Sequence, residues 1–117
     1  MDYNLLFLKS LTLTILIEMI VMILFFRFVV RLKDISISSL ITTGFIASFA
    51  TLPYLWFIFP SYIEQQIWYV ILGETFAILV ETIIIGAILR TKFLTSLLCS
   101  LTCNLISFST GLIINWQ

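Results

Sequence analysis

The sequence predicts an all-α membrane protein, an antiparallel bundle of four transmembrane helices with both termini outside. Of the 117 residues, 62% are hydrophobic and only 10% are charged, whereas soluble chains carry about 25% charged residues. A chain this short cannot hide so much apolar surface in a soluble fold. Four apolar stretches fit end to end within its length. We therefore expect one integral membrane domain, residues 1–117, with lipid as its solvent.

Each predicted helix can cross a hydrocarbon layer of about 30 Å at a rise of about 1.5 Å per residue. The helices cover about residues 5–26, 37–59, 67–89 and 93–114. Basic residues follow the first stretch instead of preceding it, unlike a cleaved signal peptide, so we expect the first helix to be retained. Pro53 and Pro60 are expected to kink or end the second helix, because proline lacks a backbone donor. The short connections favour antiparallel neighbours.

The basic residues predict the orientation of the bundle. Five of the six lie beside the first and third connections, and the sixth is Lys9. The five are Arg27, Arg31, Lys33, Arg90 and Lys92. The positive-inside rule places these connections in the cytoplasm, so the protein is expected in the inner (cytoplasmic) membrane of a cell. Every Tyr and Trp falls near the opposite boundary, as in an interfacial aromatic belt: Tyr3, Tyr54, Trp56, Tyr62, Trp68, Tyr69 and Trp116.

The composition excludes several classes of function. There is no histidine, which excludes a Ser-His-Asp triad and most zinc or haem sites. No G-x-G-x-x-G or P-loop pattern occurs, so no nucleotide cradle is predicted. The stretches outside the predicted helices are too short for a soluble catalytic domain or for nucleic-acid binding. We expect no cofactor, and the sequence leaves a metal ion open.

Three carboxylates fall inside the predicted helices. They are Glu18, Glu74 and Glu81. A charged carboxylate at the centre of a lipid-exposed span costs about 2.5–3.5 kcal/mol, so each of them calls for a structural or functional reason. Glu74 and Glu81 are seven residues apart and share one face of the third helix. All three lie near the midplane, and we expect them to meet at one central site.

Small and polar residues form a stripe on the fourth helix: Ser96, Ser100, Asn104, Ser107 and Gly111. If this stripe packs against the third helix, the Asn104 amide could donate a hydrogen bond to a carboxylate. Thr14 could donate in the same way from the first helix. Helix packing is the competing interpretation of such a stripe.

The second helix offers a small face for close approach, made of Gly44, Ser48 and Thr51. We expect the deep thiols Cys99 and Cys103 to act as packing residues. The predicted binding residues are Glu18, Glu74, Glu81, Asn104 and Ser107.

Three short patterns resemble a family of small prokaryotic multi-pass membrane proteins whose function is uncharacterised. The patterns are Leu52-Pro53-x-x-Trp56-Phe57, Gly73-Glu74-x-x-Ala77-x-x-x-Glu81, and Asn104-x-x-Ser107 with Gly111. This resemblance covers about the last two thirds of the chain and implies one motif set without an activity. In size the chain is also similar to small multidrug exporters, which are four-helix dimers with an essential glutamate in the first helix. Glu18 would match that glutamate, whereas Glu74 and Glu81 depart from that family.

The carboxylates favour a small transporter or channel-like protein that binds a proton or a cation. A homo-oligomer is expected, because four helices barely enclose a pathway. The alternative is a non-catalytic accessory or assembly subunit whose carboxylates pair with groups on a partner membrane subunit. A membrane enzyme ranks third, since paired carboxylates can perform acid–base work or hold a divalent metal.

Overall fold

The computed structural model describes residues 2–29 and 34–115. Within these residues, four helices are long and apolar enough to cross a membrane. They span Tyr3–Val29, Ile37–Tyr62, Gln66–Leu89 and Phe93–Ile113. The chain is therefore all-helical in build and suited to a membrane. Of the residues used to predict its orientation, Arg31, Lys33 and Trp116 lie outside the described residues.

The first span is an α-helix that ends in a wider turn. Helix α1 covers Tyr3–Leu24, and the chain continues as a π-helical turn over Phe25–Val29. A serine cap starts the next helix, since Ser36 Oγ accepts the Ser39 backbone N–H at 3.1 Å. This bond satisfies one of the donors that a helix N-terminus leaves unpaired.

The second span is longer than the predicted helix and is not interrupted at Pro53. Helix α2 covers Ile37–Pro53, a π-helical turn follows over Tyr54–Ile58, and the short helix α3 covers Phe59–Tyr62. Pro53 keeps helical angles, φ −58° and ψ −37°, because its fixed φ suits a helix. The proline-flanked segment therefore changes the helical register, and the chain leaves the helix only after Tyr62.

The last two spans are single α-helices. Helix α4 covers Gln66–Leu89 and helix α5 covers Phe93–Asn115. Arg90 ends α4 in the left-handed region, with φ 56° and ψ 42°, a conformation that commonly closes helices. The tight connection that follows is held by a 2.6 Å hydrogen bond between Thr91 Oγ1 and Ser96 Oγ.

The helices pack side by side over a length of 42 Å, close to the about 40–45 Å of a whole bilayer. Helix α1 lies against α2 and α5, and α4 lies against the same two helices. Helices α1 and α4 therefore face each other across the centre. This arrangement places a glutamate of α1 opposite one of α4.

Hydroxyl groups on the exposed surface are satisfied by their own helices. Thr12 Oγ1 donates to the Leu8 carbonyl at 2.9 Å, and Thr102 Oγ1 donates to the Leu98 carbonyl at 2.8 Å. A hydroxyl in lipid that lacks a hydrogen-bond partner would cost on the order of several kcal/mol. These back-bonds let threonines face lipid at little cost.

The interior divides into two halves along the helix axes. The packed half is a hydrophobic cluster near the α1–α2 and α4–α5 connections: Val21, Met22, Phe25, Phe26, Leu40, Ile85, Leu89, Cys99 and Cys103. The cavity half lies toward the α3–α4 connection and encloses a cavity of about 290 Å³. Both thiols are fully buried in the packed half.

Candidate functional site

The cavity is lined by side chains from α1, the second span, α4 and α5. Its described polar lining consists of Ser10, Thr14, Glu18, Thr51, Gln66, Tyr69, Glu74, Asn104 and Ser107. Four of the five predicted binding residues are in this set, and Glu81 lies beyond it. No Lys or Arg is found among the described lining residues. Two carboxyl groups therefore give the cavity an acidic character.

Glu74 lies on the α4 wall of the cavity and is half-buried. The neighbouring Gly73 allows the second span to come close, since a Cβ at Gly73 would lie 3.0 Å from Leu55 Cδ2. Seven residues separate Glu74 from Glu81, which places their backbones about 10 Å apart along the helix. Glu74 therefore lies about two helical turns nearer the α3–α4 connection than Glu81.

Glu18 lies at the inner end of the cavity and is 1% exposed. Ser48 Oγ of α2 donates to Glu18 Oε2 at 2.9 Å. The same hydroxyl lies 3.0 Å from the Gly44 carbonyl oxygen, which can accept the proton instead. In that second arrangement, a protonated Glu18 donates to Ser48 Oγ. The site therefore accommodates Glu18 with or without a proton.

A close helix crossing brings Ser48 to Glu18. A Cβ added at Gly44 would lie 3.3 Å from the Met19 backbone nitrogen, so α1 and α2 pack backbone against backbone at this level. Ser48 follows Gly44 by one helical turn, and Glu18 precedes Met19 directly. The sequence indicated the small face of the second helix for close approach, and it offered Thr14 as a residue that could donate to a carboxylate. The structure assigns that contact to Ser48.

Glu81 lies beneath the cavity, is 1% exposed, and interacts with Glu18 across the centre of the molecule. Neither carboxyl oxygen of Glu81 has a hydrogen-bond partner among the described residues. An ionised carboxylate in such a place is costly unless a counter-charge pairs with it. The group is therefore suited to holding a proton or meeting a cation. Glu18 and Glu81 are therefore neighbours across the centre, and Glu74 lies within electrostatic range of both.

Asn104 lies beside Glu81, but its amide bonds within its own helix. Asn104 Nδ2 donates to the Ser100 carbonyl at 2.8 Å, and the amide lies near the carboxyl group of Glu81. Ser100 Oγ donates to the Ile78 carbonyl of α4 at 2.8 Å. The deep part of the α5 stripe therefore packs against α4, whereas Ser107 and Gly111 line the cavity.

Two tyrosines hold the π-helical turn of the second span. The Phe59 N–H bonds the Tyr54 carbonyl, and residue 60 is a proline without an N–H, so the Leu55 carbonyl loses both of its helical donors. Tyr69 O–H donates to it at 2.5 Å. The Trp56 carbonyl also loses its α-helical donor at Pro60 and accepts the Tyr3 O–H.

The sequence analysis placed these tyrosines in an aromatic belt and missed their role in the second span. The available signal was Pro60, because each proline in a membrane helix frees a carbonyl that requires another donor.

No protein-family model, curated protein or solved structure matches this chain. The resemblances to small prokaryotic membrane proteins and to multidrug exporters therefore stay predictions. The main features of the site are an acidic cavity and a buried carboxyl pair beneath it.

Proposed function

We propose that this protein is a small transporter or channel-like protein whose intramembrane carboxyl groups bind a proton or a cation. The observation that supports this best is the cavity that leads to Glu18, with the unpartnered Glu81 immediately beyond. Ionisable groups inside a membrane commonly mark ion pathways and proton relays. A purely structural role would leave both Glu81 oxygens with no compensating bond.

The contacts support a route for a proton from the cavity to the centre. A proton that enters reaches Glu18, which lines the cavity. Ser48 can donate to or accept from that carboxyl group. Glu81 lies near Glu18 across the centre and can take the proton next after a small side-chain movement. Glu18 and Glu81 thus act as a pair in which one proton relieves the repulsion between the two carboxylates.

The packed half closes the route beyond this pair. Its large apolar side chains include Met22, Phe26 and Ile85, none of which has measurable exposure. An ion cannot cross such a layer without rearrangement of the helices. The protein would therefore work as a transporter that is closed at the packed half, rather than as a continuously open pore.

The proposed topology is an antiparallel bundle in the inner membrane, with both termini and the α3–α4 connection outside. The half of the molecule that holds the cavity then faces the exterior. Cysteine substitutions at Gln65 and Asp34, which are both exposed and lie near opposite ends of the molecule, test this in a background without Cys99 and Cys103. Gln65→Cys is expected to react with an impermeant maleimide in intact cells, and Asp34→Cys only after the cells are opened. The reverse pattern would overturn the orientation.

A homo-oligomer is part of the proposal. Large apolar side chains such as Ile20, Ile83 and Leu105 stay exposed on the surfaces of α1, α4 and α5. These surfaces can face lipid or further copies of the chain. An accessory subunit would instead bind a different membrane protein through them.

Transport assays in liposomes separate these functions. The purified protein is reconstituted with a trapped pH dye, and proton movement is followed after gradients of pH, of Na⁺ or K⁺, or of organic ammonium ions. Glu81→Gln and Glu18→Gln are expected to lower the initial rate at least tenfold, because the amide keeps the shape of the side chain but cannot carry a proton. Glu64→Gln, an exposed carboxyl group in the α3–α4 connection, is the matched control and should keep the rate.

Absence of protein-dependent flux under every gradient would contradict the proposed function. If the same Gln variants instead lost a copurifying membrane partner, the accessory-subunit alternative would replace it.

A further inference from the structure

We propose that the cavity is the binding site for a small organic ammonium ion, anchored by the carboxyl group of Glu74. This inference rests on the proposed function, because it names the class of cation that the cavity takes. It also separates two tasks: Glu74 holds the ligand, and Glu18 with Glu81 holds the proton.

The sign of the charge in the cavity favours a cation. Glu74 and Glu18 line it, and the described lining contains no basic side chain. The unpartnered carboxyl group of Glu81 lies just beneath and adds negative potential whenever it is ionised. An anionic ligand would meet repulsion without a single compensating positive charge.

The aromatic lining favours an organic cation. The rings of Trp56, Tyr69 and Phe108 border the same cavity as Glu74. Aromatic faces attract ammonium groups and also bury their hydrocarbon parts. Ser107 and Gln66 add neutral polar atoms that can accept N–H donors. A carboxyl group beside aromatic rings matches a molecule that has both a positive end and an apolar body.

The same lining fits a bare metal ion poorly. No group of three His, Cys, Asp or Glu side chains that could hold a metal occurs among the described residues. Hard cations such as Ca²⁺ require six to eight oxygen ligands at short range, at about 2.3–2.6 Å. Glu74 and Glu18 are the two carboxyl groups of the described lining, which is fewer oxygen ligands than such an ion requires. An ammonium group needs only one carboxylate.

The size of the cavity limits the ligand to a small molecule. The cavity has a volume of about 290 Å³. Ligand pockets usually have volumes of about 300–1,000 Å³, so this cavity is at the small end of the range. Gly111 keeps part of this space open, since a Cβ there would meet no atom within 4 Å. A side chain at this position can therefore fill the cavity without a clash in the helix packing.

Calorimetry in detergent with a 2-phenylethylammonium salt tests the inference directly. We expect saturable binding of the amine, and no binding of 2-phenylethanol or 3-phenylpropionate, which share the ring but lack the positive charge. Glu74→Gln should weaken binding at least tenfold, about 1.4 kcal/mol. Glu64→Gln should leave the affinity unchanged, and Gly111→Leu should abolish binding while thermal unfolding stays the same.

Equal affinity of the native chain and Glu74→Gln would overturn the inference, as would equal binding of the neutral alcohol or no binding of the amine. These results are independent of the liposome assay. Flux without amine binding would leave the proposed function standing and remove the ligand class. Amine binding without any flux would contradict transport and keep the binding site.

Discussion

The packed half and the cavity half consist of the same helices but fill their interiors in opposite ways. In the packed half, Phe26, Met22 and Leu40 meet with no measurable exposure. In the cavity half, Gly111 faces open space and Trp56 is only half-buried. Side-chain volume near the helix axis therefore decides whether a membrane bundle is closed or hollow. Glu18 and Glu81 lie at the boundary between the packed half and the cavity half.

Helix α5 shows the difference within one sequence pattern. Its small and polar residues repeat along a single stripe, yet Ser96 packs 3.3 Å from the position of a Gly86 Cβ, whereas Ser107 lines the cavity. The opposing surface sets the role, since α4 comes close to Ser96 and Ser100 but leaves space near Ser107. Helix packing and cavity lining are thus two uses of one stripe.

The largest expected difference between the halves is in stability. Phe26→Ala should lower the free energy of unfolding by about 3 kcal/mol, because it leaves a void in close-packed surroundings. Phe108→Ala removes the same ring from the half-buried lining of the cavity and should cost far less. Titration with sodium dodecyl sulfate from mixed micelles measures both. Equal losses would show that the two halves are packed alike.

Two glycine substitutions test the comparison further, with expected effects of intermediate size. Gly44→Ala places a methyl group 3.3 Å from the Met19 backbone nitrogen and should destabilise the fold by about 1–3 kcal/mol, as overpacking does. It should also weaken the Ser48 contact with Glu18. Gly111→Ala enters open space and should be neutral. The same detergent titration reports both variants, and a costly Gly111→Ala would contradict the open cavity.

The smallest effect concerns the mouth of the cavity. Tyr69→Phe leaves the Leu55 carbonyl without the hydroxyl that donates to it, and about 1 kcal/mol of stability should be lost. Tyr62→Phe is the matched control, because Tyr62 is 83% exposed. A change in thermal unfolding that is equal for both variants would indicate that the hydroxyl of Tyr69 has no special partner.

Composition and spacing predicted the four spans and the three glutamates within them, because hydrophobic length determines where a span lies. They did not predict that Ser48 would bond Glu18. That contact depends on how closely α1 and α2 cross at Gly44, which is a property of the packed pair and not of either helix. The pairing of Glu18 with Glu81 likewise depends on how α1 faces α4.

The π-helical turn lay beyond sequence reasoning for another reason. A proline can kink a helix, end it or shift its register, and the neighbouring donors decide among these outcomes. Here Tyr3 and Tyr69 pair with the carbonyls that Pro60 frees, so the second span keeps a helical path to Tyr62. Sequence alone locates the tyrosines at the boundary without showing which carbonyl each one meets.

The contact between Tyr69 and Leu55 has a consequence for biogenesis. The second span leaves the ribosome before α4, and Tyr69 follows Leu55 by 14 residues. Until α4 inserts, the Leu55 carbonyl must be hydrated, which keeps the end of the second span in the wet headgroup layer. Insertion of α4 then supplies the missing donor and allows that end to settle. The second and third spans therefore reach their final packing together, as a hairpin that the Tyr69 hydrogen bond closes.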